Sequence, residues 1–373
     1  MNPPLARPIC ALWLLAVGMT PLAAQKWQVQ YFYDKAKSTF AISDLQFPSA
    51  TRGVAVGAIQ QEGKHEDPMS VVTSDGGAHW QTVPLKEAPV SLFFLNENLG
   101  WLVTTKGLWQ TLEAGRTWTK LPKVPGQIYR VYFLDETHGW AVGPKKTALE
   151  THDGGKTWKP LGVTAARDGE DIKYSAYTCI AFATPRIGLI TGWNIPPRRY
   201  APEFPDWVDP EETLRQRVSP HLSYTVATTD GGNSWTPASG SLFGTIARIR
   251  FGPNGKGLGL MQYDAAFRYP SEAYSIIWPG GTTHTVYRDA KFAITDIWLA
   301  SGGAAYLAGT QVRGRMRSLI PAKVQVLTSK DLKDWTPIPV DYRAEATGAI
   351  LAGSDDDHLW MATNTGMILK LVR

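Results

Sequence analysis

Four aspartates stand where a pair of carboxylates could perform general acid and base chemistry. They are Asp44, Asp171, Asp264 and Asp296. Asp44 and Asp296 each lie in an apolar segment that predicts a strand, in the settings Ile-Ser-Asp-Leu and Thr-Asp-Ile. Two carboxylates about 6–10 Å apart across a cleft would suit hydrolysis of a glycosidic bond with inversion. A polar residue that lines a channel or caps a turn is the simpler interpretation, and we favour it.

The histidines and glycines of the chain do not form a recognisable metal or phosphate site in the sequence. The seven histidines are scattered, and no two of them have the spacing of metal ligands. Gly154-Gly155-Lys156-Thr157 ends like a phosphate-binding loop, but the first glycine of that motif is missing. No nucleophile elbow is found either. We therefore predict neither a bound metal nor a cofactor.

A proline-rich segment from 194 to 222 interrupts the pattern of strands and carries residues suited to partner contact. Cations and aromatic side chains occur there together, and these residue types are enriched at binding hot spots. The candidates are Arg198, Arg199, Tyr200, Phe204 and Trp207. Asp209-Pro210 predicts the start of a short helix within the segment. A second irregular stretch carries Arg268. A loop that folds back on its own structural unit is the alternative, and the sequence leaves both interpretations open.

A short motif recurs along the chain and indicates the elements that must position these residues. Its form is Thr-x-Asp-x-Gly-x-Thr-Trp, and the copies begin at Thr73, Thr111, Thr151, Thr228 and, in a decayed form, Thr328. The closing tryptophans, Trp80, Trp118, Trp158, Trp235 and Trp335, are 38, 40, 77 and 100 residues apart. The shorter spacings match one blade of a propeller. Each longer gap hides either a degenerate repeat or an insertion.

Turn chemistry explains this motif residue by residue. The aspartates Asp75, Asp153 and Asp230 can accept hydrogen bonds from amides of the turn, and glycine supplies the positive φ that a hairpin needs. The tryptophan begins the outer strand, where its ring can pack between neighbouring blades. We favour this structural role over a metal or catalytic role for the aspartates.

An apolar strand, a short turn, a glycine and a second apolar strand precede each copy of the motif. Together with the hairpin that carries the motif, they make a blade of four strands. Seven blades are predicted, beginning near Ile42, Val90, Ile128, Tyr177, Ile246, Ile294 and Ala346. The last blade has only three evident strands. The isolated strand from Trp27 to Tyr33 would complete it and close the ring of an all-β, seven-bladed β-propeller.

The N-terminal segment predicts export, and the charge balance argues against a nucleic-acid binder. Residues 1–24 have the pattern of a secretory signal peptide, and residues 25–373 would then form a single propeller with its insertion at 194–222. The net charge of +5 falls by one when Arg7 leaves, which is too mild a balance for a nucleic-acid binder. Cys179 is the one cysteine left, and its apolar neighbours predict a buried side chain.

The motif resembles the Asp-box, or BNR, repeats of sialidases and related propellers. The unit formed by residues 139–143 and 151–158 is most similar to the photosystem II stability/assembly factor family. That resemblance implies a propeller on the exported side of a membrane that helps to assemble membrane-protein complexes and contacts partners through a basic patch. We therefore expect an exported, periplasmic or secreted, monomeric binding protein with a protein partner in the cell envelope. A carbohydrate partner remains open.

A secreted glycoside hydrolase of the same propeller type is the alternative function. Sialidases carry an early Arg-Ile-Pro segment, whereas the nearest string here is Arg186-Ile187-Gly188. Xyloglucan-cleaving hydrolases use two propeller domains, and this chain has residues for one. The carboxylates Asp44, Asp264 and Asp296 would be the catalytic candidates, and we favour a binding protein over an enzyme.

Overall fold

The strands of the chain form seven antiparallel sheets that follow one another around a ring. The computed structural model describes residues 25–61, 66–162, 170–197, 220–252, 255–263, 267–312 and 322–373. The first four blades, each of four strands, consist of β2 (Ser38–Gln46), β3 (Gly53–Gln61), β4 (Asp67–Thr73) and β5 (Gln81–Pro84); β6 (Pro89–Phe94), β7 (Gly100–Thr104), β8 (Gly107–Thr111) and β9 (Thr119–Lys120); β10 (Arg130–Phe133), β11 (Gly139–Val142), β12 (Ala148–Thr151) and β13 (Lys159–Pro160); and β14 (Ser175–Thr184), β15 (Ile187–Asn194), β16 (His221–Thr228) and β17 (Thr236–Leu242).

The last three blades complete the ring. They consist of β18 (Gly244–Phe251), β19 (Lys256–Tyr263), β20 (Ser271–Ile277) and β21 (Thr282–Arg288); β22 (Phe292–Leu299), β23 (Ala305–Gln311), β24 (Ala322–Ser329) and β25 (Thr336–Ile338), with β26 (Glu345–Ala346) beside β24; and β27 (Ala349–Gly353), β28 (Leu359–Thr363), β29 (Met367–Val372) and β1 (Lys26–Phe32). A single 3₁₀ turn, Ile172–Tyr174, is the only helical element in the part described. No helix there is long and apolar enough to cross a membrane.

The predicted seven-bladed propeller, closed by the N-terminal strand, is confirmed. Strand β1 pairs antiparallel with β29 from Lys26 opposite Val372 to Phe32 opposite Met367, and so becomes the outer strand of the seventh blade. The ring closes with the first and last segments of the described chain in one sheet. Strand β1 thereby covers the outer edge of β29, which would otherwise present unpaired backbone groups.

The two long gaps between motif tryptophans have different origins. The first gap falls within one blade, in which β15 pairs with β16 up to Asn194 opposite Leu222. The chain between these strands is therefore an insertion, and residues 198–219 lie outside the described residues. The second gap contains the fifth blade, whose outer hairpin turns at 278–281 without an Asp-box. This blade is the degenerate repeat.

Five of the seven blades join their first two strands by the same close packing of an aromatic ring on a glycine. A Cβ on Gly53 would lie 2.4 Å from the Phe47 ring, and one on Gly139 would lie 2.4 Å from the Phe133 ring. Any side chain at these glycines would displace the ring. The aromatic and the glycine are six residues apart in five blades, namely Phe47/Gly53, Phe94/Gly100, Phe133/Gly139, Phe182/Gly188 and Phe251/Gly257.

The apolar core is divided among the seven interfaces between blades. Seven clusters of buried side chains each join residues of two adjacent blades. Aromatic stacking reinforces several of them, as where Trp101 of blade 2 stacks on Phe133 of blade 3 at 3.7 Å. Trp360 stacks on Phe47 in the same way across the closure, at 3.6 Å. Burial of this kind between blades holds the ring together.

The Asp-box turns are closed by their own side chains. In the third blade the amides of Lys156 and Thr157 donate to Asp153 Oδ1 at 3.0 and 2.8 Å. The indole of Trp158 donates to the carbonyl of Gly155 at 3.0 Å. Gly155 has a φ of +94°, a conformation that L side chains rarely adopt. Asp75 and Asp230 accept amides of their own turns in the same manner.

The motif tryptophans all reach an interface between blades. Trp158 and Trp235 are buried, and the other three, Trp80, Trp118 and Trp335, are half-buried. Each belongs to, or packs against, one of the clusters between blades. The box therefore couples a local turn to the packing of the whole ring.

Candidate functional site

A funnel opens at the centre of the ring on the side where the first strand of each blade turns into the second. We call this side the funnel face. The cavity has a volume of about 590 Å³, and inner-strand residues such as Arg130, Arg248, Arg250 and Trp298 line it. Residues 300–301 and 354–355 from the turns after two first strands stand at its mouth. The funnel is therefore accessible from this face.

Two positions of the first strand recur around the funnel. In five blades the outer of the two directly precedes the aromatic that packs on glycine, and in the sixth it precedes Leu299; the inner position lies two residues earlier. At the inner position stand Asp44, Ser91, Arg130, Cys179, Arg248 and Asp296, and at the outer one Gln46, Phe93, Tyr132, Ala181, Arg250 and Trp298. In five of these six strands the pairing register shifts just before the inner residue. Such a bulge re-aims the side chain that follows it.

Asp44 links the first blade to the second. Its Oδ1 accepts the amide of Leu45 at 2.9 Å, and its Oδ2 accepts the amide of Leu92 in the next blade at 2.8 Å. The side chain is buried. Both carboxylate oxygens are thus occupied by backbone donors that the ring itself supplies.

Asp296 makes the equivalent link between the sixth and seventh blades and carries an ion pair as well. It accepts the amides of Ile297 and Leu351, each at 2.9 Å. Arg248 Nε lies 2.9 Å from its Oδ1. The carboxylate is fully buried, and the Arg248 side chain is 15% exposed. Both candidate carboxylates therefore tie adjacent blades together at the funnel.

The other two candidate carboxylates stand apart from this pair. Asp171 is exposed and caps the 3₁₀ turn by accepting the amide of Lys173 at 3.2 Å. Asp264 lies outside the described residues. The part of the funnel that the structure describes brings only Asp44 and Asp296 together.

Among the residues that the structure describes, two of the three funnel arginines form no ion pair of their own, although Asp44 and Asp296 lie near enough to attract both. Arg130 forms no side-chain hydrogen bond or ion pair with the residues that the structure describes. Arg250 stacks on Trp298 with its guanidinium carbon 5.0 Å from the ring centroid, and its Nε has no hydrogen-bond partner. Burial, followed by repulsion from Arg248, lowers the pKa of Arg250 to about 10. Burial, followed by repulsion from Arg248, lowers the pKa of Arg130 as well. With a pKa of about 10, Arg250 is cationic at neutral pH and can attract an anion.

Aromatic rings surround these cations. Phe93 lies 5.1 Å from Tyr132, and Tyr132 stacks on Phe182 at 4.8 Å, so the rings of three successive blades are in contact. Burial raises the pKa of Tyr132 to about 12, and the phenol stays neutral. Trp298 stands farther around the funnel. Cations set among aromatic side chains are typical of protein-binding surfaces.

Where they are described, the segments that carry the predicted contact residues lie on the side of the ring opposite the funnel face. Arg198, Arg199, Tyr200, Phe204 and Trp207, and the predicted helix start at Asp209, lie outside the described residues. The described ends of their segment, like the turn that carries Arg268, connect the second and third strands of a blade. Because strands in a blade alternate in direction, these connections stand away from the funnel face. Arg268 itself lies over the Tyr269 ring at 5.4 Å.

Sequence reasoning did not single out Arg130, Arg248 and Arg250. The available signal was the repeat itself, because these residues occupy one of two fixed positions before the aromatic of the first strand. Cys179, at one of those positions, is buried as predicted. One group of residues that could ligate a metal is not visible from sequence spacing, since His138, Glu150 and His152 converge only through strand pairing.

Comparison with known sequences gives matches to photosystem II assembly factors. The family described as Photosynthesis system II assembly factor YCF48 matches residues 121–192. Photosystem II assembly lipoprotein Ycf48 of Synechococcus sp. (strain CC9902) is 25% identical over 211 residues, which are 53% of this chain and 56% of that protein. The chain thus spans about half the length of that relative. Photosystem II assembly protein Ycf48 of Thermosynechococcus vestitus is 34% identical over 89 residues, 21% of this chain and 25% of that protein.

Solved structures share the fold over nearly the whole chain. YCF48 bound to D1 peptide superposes with a TM-score of 0.59 at 16% identity, covering 95% of this chain and 99% of that chain. The GH74 xyloglucanase from Xanthomonas campestris superposes with a TM-score of 0.56 at 12% identity, covering 92% of this chain and 53% of that chain. Identities this low establish likeness of fold alone. With its repeats and its seven blades, the chain is a BNR-type β-propeller that resembles the photosystem II assembly factors.

Proposed function

We propose that this chain is an exported, non-enzymatic assembly propeller that holds an extended segment of a membrane-protein partner in its funnel. The observation that carries the proposal is a pair of arginines in an aromatic-lined cavity, Arg130 and Arg250, which form no ion pair with the described residues. A carboxylate of the partner, at its C-terminus or on an acidic side chain, would supply the missing anion. Relatives named as photosystem II assembly proteins, and one such structure bound to a peptide, support this class of function.

The funnel suits a peptide better than a globular surface. Its volume of about 590 Å³ accommodates a short stretch of chain but no folded domain. A guanidinium can bind a carboxylate through two parallel hydrogen bonds, which fixes orientation as well as charge. The rings of Phe93, Tyr132 and Trp298 offer apolar contacts to the side chains that precede that carboxylate. The protein would act as a monomer, a point that light scattering can check.

Binding to an array of C-terminal segments of envelope membrane proteins tests this proposal. Each segment is displayed as the free acid and as the amide. We expect the wild-type chain to prefer free acids, and the Arg130→Gln/Arg250→Gln variant to lose that preference with at least a tenfold weaker signal. Arg268→Gln, on the opposite side of the ring, is the matched control and should bind as the wild type does. Equal binding of acids and amides by the wild-type chain would refute the carboxylate site.

Crosslinking and capture from the native envelope tests the alternative interface at the insertion. Replacing Arg198, Arg199, Tyr200, Phe204 and Trp207 with Ala or Ser should leave the fold intact, because an insertion contributes little to the shared core. If this variant loses the partner and the funnel variant keeps it, the interface belongs to the insertion. If both capture the partner as the wild type does, neither surface holds it.

An activity assay addresses the hydrolase alternative directly. We expect purified protein to leave sialosides and β-glucans intact, because backbone amides occupy the oxygens of Asp44 and Asp296. A carboxylate held in this way is poorly placed to move a proton to a substrate. Hydrolysis that disappears in Asp44→Asn or Asp296→Asn would overturn the assignment as a binding protein.

A further inference from the structure

Strand pairing in the third blade brings two histidines and a glutamate together on the funnel face. Because β11 and β12 pair with Gly139 opposite Thr151, His138 stands opposite His152, with Glu150 two residues earlier on the same side of the strand. His138 Nε2 lies 2.9 Å from Glu150 Oε1, and His152 Nε2 lies 3.6 Å from the same oxygen. One ligand atom from each residue lies within 4.8 Å of the other two.

These separations are compatible with a metal ion as well as with a hydrogen-bonded ion pair. Ligand atoms at about 2.0–2.1 Å from a tetrahedral Zn²⁺ lie about 3.3–3.4 Å from each other. The distances of 2.9 and 3.6 Å from the Glu150 oxygen to the two imidazole nitrogens lie on either side of that value, and all three ligand atoms lie within 4.8 Å of one another. Side-chain rotation would bring the three ligand atoms to one ion. The His138 and His152 rings stack at 4.5 Å, which keeps both nitrogens directed to the same region.

The surroundings hold one histidine in place and leave the cluster open to solvent. The His138 ring packs on fully buried Trp140 at 4.4 Å between centroids. His138 and Glu150 are 20% and 23% exposed, whereas His152 is 65% exposed. Three protein ligands beside solvent leave the fourth position of a tetrahedral ion for water.

Blade architecture does not explain these residue types. The register of the second blade, with Gly100 opposite Thr111, places Leu99, Gln110 and Leu112 at the equivalent positions. In the fourth blade, with Gly188 opposite Thr228, they are Ile187, Ala227 and Thr229. Both blades form the same strands and the same box turn without a ligating set. The His–Glu–His set of the third blade is therefore additional to what the fold requires.

We propose that His138, Glu150 and His152 bind a divalent transition-metal ion of the Zn²⁺ type, with water at the fourth position. Two imidazoles and one carboxylate select zinc, copper or nickel over calcium and magnesium, which prefer sites made of oxygen alone. This site is distinct from the funnel arginines and does not depend on the proposed peptide binding.

Calorimetric titration of the untagged full chain with ZnCl₂ tests the site. We expect a saturable one-to-one isotherm that excess Mg²⁺ or Ca²⁺ does not abolish. Loss of an outer-shell partner weakens metal sites about 10–100-fold, so loss of a direct ligand should weaken binding at least tenfold. His152→Gln is the main variant, because its exposed side chain contributes little to folding, and Glu150→Gln is the second. His284→Gln, at an exposed histidine on β21, is the matched control.

Thermal unfolding with and without ZnCl₂ gives an independent readout. The wild type and His284→Gln should gain the same Zn²⁺-dependent rise in melting temperature, and His152→Gln should gain less. Absence of a saturable isotherm in the wild type would overturn the proposal. So would a His152→Gln variant that binds Zn²⁺ as tightly as the His284→Gln control.

Discussion

Replacing Asp44 and Asp296, one at a time, with asparagine should separate two contributions to stability: the hydrogen bonds from backbone amides that link adjacent blades, and the ion pair with Arg248. Asp44 and Asp296 each accept one amide of their own strand and one amide of the next blade. Only Asp296 also pairs with Arg248, at 2.9 Å. Asparagine keeps one carbonyl oxygen, but its amide group turns a donor toward a backbone donor. The two substitutions therefore differ mainly in that Asp296→Asn also removes the carboxylate charge that pairs with Arg248.

The expected free-energy losses follow from these contacts. Asp44→Asn loses a buried hydrogen bond to a charged acceptor, which costs about 1.5–3 kcal/mol. Asp296→Asn also leaves Arg248 without its partner, and breaking a buried pair in this way costs about 3–5 kcal/mol. Because Arg248 retains 15% exposure in the funnel, the lower part of that range is expected. The ranking, with Asp296→Asn the more damaging change, is the prediction.

Urea unfolding at neutral pH measures both variants. The midpoint should fall in both, and more in Asp296→Asn, with the slope m unchanged. The double variant Arg248→Met/Asp296→Asn should recover part of the loss, because it removes the unpaired buried charge. If Asp296→Asn costs no more than Asp44→Asn, or the double variant recovers nothing, the ion pair does not stabilise the ring.

Three further predictions concern the blades and their turns. Trp158→Ala should cost about 3–5 kcal/mol in urea unfolding, because the ring is buried between blades 2 and 3 and leaves a cavity; a loss below 1 kcal/mol would contradict this packing. Deleting residues 25–34 removes β1 from its pairing with β29. This deletion should lower the melting temperature markedly and promote association through the exposed edge of β29. An unchanged melting temperature together with a monomeric elution profile would argue against closure by β1. Turn hydrogen bonds lower the pKa of three Asp-box carboxylates to about 2, namely those of Asp75, Asp153 and Asp230. These carboxylates therefore stabilise the fold above their unfolded pKa of about 4, and this stabilisation is lost as the pH falls toward 2. Asp153→Asn should then make the urea midpoint less dependent on pH in that window, and an unchanged dependence would contradict the assignment.

The fold could be predicted from the sequence because a blade is specified by short-range chemistry. The Asp-box closes its turn within eight residues, as in the hydrogen bonds of Asp153 to the amides of Lys156 and Thr157. The aromatic and the glycine of the first two strands are also close in sequence, as in Phe133 and Gly139. Counting the apolar first strands gives seven blades, and the isolated strand at the start of the described chain supplies the strand that the last blade lacks.

The candidate sites could not be predicted in the same way, because their residues are far apart in sequence and are brought together only by the folded ring. Arg130, Arg248 and Asp296 lie on three different blades and meet only because every first strand faces the central axis. His138 and His152 meet through the register of one strand pair, which spacing along the sequence does not reveal.

The sequence alone determined the unit and its number, since turn hydrogen bonds and aromatic–glycine packing act within a few residues. Only the tertiary structure decided which long gap was an insertion and which was a degenerate blade. It also decided which face presents the arginines, and that Arg248 forms an ion pair with Asp296 across two blades. The physical reason is that electrostatic and metal-binding geometry depends on distances across the ring, and those distances are set by the packing of all seven blades together.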